Sequence, residues 1–135
     1  MSEERQTFRK TERLCRTKLI SELFETGNAF YTPFFKVVWG ISDEKSASPA
    51  QIAISVPKRN IRLAVSRNLI KRRIREAYRK NKQVLYDGLE KDSRQIVFIV
   101  IFRKNIIPDY QTIEKSVTEL IGILCHDVKQ KTEKC

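Results

Sequence analysis

Seven consecutive apolar residues, Ile96 to Phe102, run through this chain without a polar interruption. A strand with one wet face alternates apolar and polar side chains. An unbroken run of β-branched and aromatic residues is instead the pattern of a strand covered on both faces. The chain must therefore build a sheet around this strand and supply material for each side of it. No apolar run approaches the ~20 residues needed to span a membrane, so the strand belongs to a globular core.

The rest of the sequence provides the parts. Residues 1–12 are polar and charged and read as a flexible basic arm ahead of a single domain over 13–135. Leu14, Leu19, Ile20, Leu23 and Phe24 mark an amphipathic helix from Arg13 to Glu25, with Gly27 suited to its C-terminal stop. FYTPFFKVVWG (30–40) is strand-like; Pro33 divides it into a short edge piece and a longer strand from Phe34 to Trp39. A turn-rich loop, SDEKSASP (42–49), leads to a further strand, QIAISV (51–56), and the two strands read as a hairpin. A connector then enters a helix from about Ser66, its expected N-cap, to Tyr86. The last helix runs from about Asp109 to Lys129, with Ile113, Val117, Leu120, Ile121, Leu124 and Val128 at three-and-four spacing. The expected fold is a small α+β sandwich of order α-β-β-β-α-β-α.

Charge is the compositional outlier: 27 Lys and Arg against 16 Asp and Glu give +11. Eleven of the basic residues lie between Lys58 and Lys82, where Glu76 is the sole acid, so this window holds +10 of the total. Charge spread for solubility would not concentrate in this way, and the surplus calls for a polyanionic partner. Arg67, Lys71, Arg75 and Arg79 recur every four residues and form one ridge along the helix, with Asn68 and Arg72 beside it. Like charges at that spacing cost a few tenths of a kcal/mol per pair, which phosphates would offset while holding arginine in bidentate contacts.

Other partners fit less well. The apolar stripe of this helix is needed for the core and is not available to a membrane surface. A strand and connector precede it, not the short helix of a DNA-reading helix-turn-helix. No histidine pair, carboxylate cluster or nucleophile–base pair is in view, and Asp43-Glu44 reads as a solvated loop pair. Cys125 beside His126 cannot make a four-ligand zinc site and reads as a helix thiol next to a surface imidazole. Cys15, Cys125 and Cys135 have no paired spacing, which points to a reducing, cytoplasmic setting. RNA is the partner that the charge pattern favours.

AVSRNLIKRRIREAY (64–78), preceded by SVPKR (55–59), resembles the protein subunit of bacterial ribonuclease P. Arg67, Asn68, Lys71, Arg72 and Arg75 match the family's signature at the opening of its central helix. RLCRTKLISELFETG (13–27) is similar to the family's first helix, and IVFIVIFRK (96–104) to its last strand. The chain departs from the family at Leu69, where the second signature arginine is absent and neighbouring Arg73 is the candidate to compensate. It also lacks the glycine before Ala-Val, with Arg62 near that place, and has Ile20 at a frequent Phe position.

What the resemblance implies is a protein without catalytic residues that assists an RNA enzyme removing the 5′ leader of precursor tRNA. Its partners would be ribonuclease P RNA and precursor tRNA, with no membrane and no obligate protein partner. Mg²⁺ would enter through the RNA subunit. Lys58, Arg59, Arg62, Arg67, Asn68, Lys71, Arg72, Arg75 and Arg79 would bind that RNA. A cleft between the first helix and the sheet would hold the leader. Strand alternation places Phe34 and Lys36 on one face of the sheet, so Ile20, Phe24, Phe34 and Lys36 are the cleft candidates. The family further implies a left-handed β-α-β crossover, against the usual right-handed preference. The alternative readings are a general RNA-binding protein of ribosomal or chaperone type and a self-sufficient nuclease.

Overall fold

The computed structural model describes residues 23–25, 27–41, 49–91 and 95–133. Helical residues 23–25 come first, followed by β1 (Asn28–Tyr31), β2 (Phe35–Ile41) and β3 (Ala50–Ser55). Helix α1 (Ala64–Lys91), strand β4 (Ile96–Phe102) and helix α2 (Tyr110–Glu133) complete the order α-β-β-β-α-β-α. The arm over 1–12, the first helix before Leu23 and the loop over 42–48 lie outside the described residues.

The sheet order is β1-β2-β4-β3. β4 is interior, as its composition requires: Ile96, Phe98, Val100 and Phe102 enter the main core under α1 and α2, while Val97 and Ile99 are buried on the opposite face. That opposite face is closed by Leu23, which packs with Val38, Val97 and Ile99. The expected hairpin between the 34–39 and 51–56 strands does not form. β2 pairs antiparallel with β1 on one side and with β4 on the other, and β3 pairs parallel with β4. The competing principle is burial: only β4 has apolar side chains on both faces throughout, so it takes the place between β2 and β3. The hairpin is instead β1–β2, turned through Thr32 and Pro33. Thr32 N donates to Phe35 O at 2.8 Å, and Phe35 N donates to Thr32 Oγ1 at 3.1 Å.

α1 buries Ile70, Ile74, Ala77, Tyr78, Leu85 and Leu89 at helical spacing, and the Tyr78 ring stands 6.0 Å from that of Phe98. It begins two residues before Ser66, which is therefore inside the helix and not its cap. Asn60 N and Ile61 N already donate to Pro57 O, and Arg67 N closes the first helical turn on Leu63 O at 3.0 Å. α1 also outruns the expected end at Tyr86, because Leu89 continues the buried stripe past Gly88. At the start of α2, Asp109 caps the helix: its Oδ1 accepts from Thr112 N at 2.8 Å, and Asp109 O accepts from Ile113 N.

Candidate RNA interface

The basic residues converge because three chain segments are tied together at one end of the sheet. Asn60, in the connector after β3, donates its side-chain amide to Phe102 O at the end of β4. Arg103, the next residue, donates its backbone N–H to Phe34 O and its Nη1 to Thr32 O at 2.6 Å. The β1–β2 turn, the exit of β4 and the entry to α1 thus share one edge of the molecule. Lys58, Arg59 and Arg62 stand exposed on the connector there, and Asn68 and Arg72 are exposed on the first turns of α1. None of Lys58, Arg59, Arg62, Lys71 and Arg72 meets a carboxylate among the described residues. A row of cations with no internal counter-ion is the arrangement that phosphates would neutralise.

The ridge is not uniform. Arg67 spends Nη1 on Ile61 O at 3.0 Å and Arg62 O at 2.7 Å, fixing the connector against the helix. Arg79 forms a two-point pair with Glu76, and Lys80 reaches the same carboxylate at 3.9 Å. That bonding lowers the Glu76 pKa, first through its hydrogen bond with Arg79. The charge ridge therefore has an open front from Lys58 to Lys71–Arg72 and a partly satisfied rear around Arg79. Arg73 points elsewhere: its Nη1 donates to Pro108 O at 2.6 Å, anchoring the loop between β4 and α2. That bond ties Arg73 to the protein's own backbone.

The second group of candidates divides. The face of the sheet opposite the long helices carries Val38 beneath Leu23, and Phe24 beside Leu23 is 56% exposed. Lys36 lies on this face, paired in register with Tyr31 on β1 and Ile101 on β4. Phe34 does not share it. It precedes the first residue of β2, so strand alternation does not extend to it, and it packs partly buried against the main core. Ile20 lies outside the described residues. The sequence reading missed two residues here, Tyr31 and Arg103. Tyr31 is 59% exposed, with Lys36 Nζ 5.6 Å and Arg103 Cζ 4.9 Å from its ring centroid. The signal was present in the Arg-Lys pair directly after the apolar run and in the aromatic ahead of Pro33.

Among the described residues no three His, Cys, Asp or Glu gather into a group that could hold a metal ion, and no helix is long and apolar enough to cross a membrane. Cys125 is half-buried on α2, where burial raises its thiol pKa, and His126 is exposed.

Residues 8–125 match the model of the family Ribonuclease P. The chain belongs to the ribonuclease P protein family. It is 37% identical over 110 residues to the ribonuclease P protein component of Porphyromonas gingivalis, covering 80% of this chain and 79% of that one. The corresponding protein of Chlorobium phaeobacteroides is 34% identical over 125 residues, covering 85% of this chain and 86% of its own. In three dimensions it is similar to the RNase P protein of Staphylococcus aureus, with a TM-score of 0.67, 24% identity and coverage of 84% and 94%. The RNase P protein from Thermotoga maritima gives a TM-score of 0.65 at 23% identity, with coverage of 82% and 94%. The α+β fold, with β4 between β2 and β3, is thus that of the ribonuclease P proteins.

Proposed function

We propose that this ribonuclease P protein binds ribonuclease P RNA through Lys58, Arg59, Arg62, Asn68, Lys71, Arg72 and Arg75, in the cytoplasm. On this reading, the sheet face beside Phe24 and Lys36 takes the 5′ leader of precursor tRNA. The observation that carries the reading is the convergence at one sheet end: Lys58, Arg59, Arg62, Lys71 and Arg72, which meet no carboxylate among the described residues, stand at the end of the sheet where Lys36 enters β2. The first part suits a folded RNA backbone and the second suits an unpaired strand. Arg67 acts mainly by holding the connector in place for its neighbours. Bond cleavage and its Mg²⁺ belong to the RNA subunit. The protein lowers the cation requirement by placing its own positive charge between two polyanions.

The salt dependence of binding tests this. About five phosphate contacts give a slope of order −3 to −4 for log affinity against log salt. Replacing Lys71 and Arg72 together by Ala should flatten that slope by about one to two units. An unchanged slope removes the opening of α1 from the interface. On the leader side, Phe24→Ala should weaken binding of precursor tRNA by the holoenzyme and spare mature tRNA, which has no leader.

A further inference from the structure

Tyr31 is the last residue of the edge strand β1 and points to the same side of the sheet as Lys36, its partner in register. Leu23 packs over Val38 and would press on any Cβ added at Gly40, so it covers rows further along β2. Tyr31 therefore lies beyond the ground that Leu23 covers, at the margin of the sheet. A large aromatic left 59% exposed at an edge contributes little to the core. Its surroundings are pre-arranged: Arg103 is fixed by its hydrogen bond to Thr32 O and sits over the Tyr31 ring, with Lys36 nearby. Neither cation has a carboxylate partner among the described residues. An exposed ring flanked by two unneutralised cations is the combination that holds one nucleotide of an unpaired strand, base on the ring and phosphates on the cations.

We propose that Tyr31 is a stacking platform for one nucleotide of the precursor leader, with Arg103 and Lys36 on the adjoining phosphates. It extends the leader track past Leu23 to the β1 edge. The proposal rests on the leader reading above and adds a length dependence to it: only a leader long enough to leave the covered part of the face reaches Tyr31.

The test uses the reconstituted holoenzyme and precursor tRNAs whose leaders lengthen one nucleotide at a time. Wild-type affinity should rise in steps, and Tyr31→Ala should abolish one later step, lowering affinity for long leaders about tenfold. Short-leader and mature tRNA should bind as before. Tyr31→Phe should restore the step, because stacking needs the ring and not the hydroxyl. Tyr31→Leu, which keeps apolar bulk without a ring, should not restore it. A step that survives in Tyr31→Ala, or returns in Tyr31→Leu, overturns the platform while leaving the leader reading intact. A wild-type affinity that ignores leader length altogether overturns both.

Discussion

Two adjacent arginines, Arg72 and Arg73, do different work in this chain. Arg73 reaches Pro108 O and secures the loop entering α2, whereas Lys71 and Arg72 face outward without a carboxylate. Arg73→Ala should lower the melting temperature yet leave the salt slope of RNA binding within experimental error. The Lys71/Arg72 double variant should do the reverse, and measuring both quantities on both proteins separates the roles. Asp109 offers a pH-dependent counterpart. Its pKa is lowered, first by the side-chain hydrogen bond of Thr112 and then by the backbone N–H of that residue. A depressed carboxylate contributes stability above its unfolded pKa and loses it as pH falls through the folded one. The melting temperature should therefore decline on acidification below the ordinary aspartate range, and Asp109→Ser, which caps without ionising, should flatten that part of the profile.

Among the elements, the junction between the first helix and β1 leaves no room for a side chain at Gly27. Gly27 N donates to Leu23 O at 2.9 Å, and a Cβ on Gly27 would stand 2.5 Å from that same oxygen. It would also meet Trp39 O and a Val38 methyl at 3.1 Å each, so the backbone must move. Gly27→Ala should cost about 1–3 kcal/mol by overpacking, visible in thermal melting, and should shift Phe24 enough to weaken leader binding. The sequence announced this helix stop, the both-sided burial of β4, the stripes of both long helices and the Pro33 division. What it did not announce were pairings decided between distant segments. β2 and β3 are neighbours in sequence with a turn-rich loop between them, yet β4 displaces that pairing because burial of its two faces outweighs proximity. Alternation misplaced Phe34 because it holds only inside a strand, and β2 begins one residue later. Spacing gave the charge ridge correctly, but not that Arg67, Arg73 and Arg79 are bonded to the protein itself. Those bonds depend on carbonyls and a carboxylate that only the folded backbone brings near. For the same reason, Tyr31 and Arg103, 72 positions apart, could not be read together from the sequence.

At the scale of the whole molecule the proposed function makes the protein a placed positive charge, and its effect should depend on what other cations are present. Added to its RNA subunit, it should restore precursor cleavage at low Mg²⁺ and matter progressively less as Mg²⁺ rises. By itself it should not cut precursor tRNA at any Mg²⁺ concentration. Cleavage at the mature 5′ end by RNA-free protein would transfer the chemistry to this chain. The position of β4 has a separate consequence, for the time at which the protein becomes usable. β2 and β3 leave the ribosome before it, but β3 cannot complete its ladder until residue 101 has emerged, nor β2 until residue 102. Until then only the β1–β2 hairpin is available, a unit marginal on its own, and the apolar faces of both strands stay open. The connector lacks its anchor as well, since the carbonyl that receives Asn60 belongs to Phe102. A chain halted before Ile96 would carry every cation of the 58–82 window without β4 to anchor the connector that bears the first of them. Such a fragment should bind RNA loosely and melt without cooperativity, so the order of synthesis itself withholds the proposed RNA-docking surface from incomplete copies.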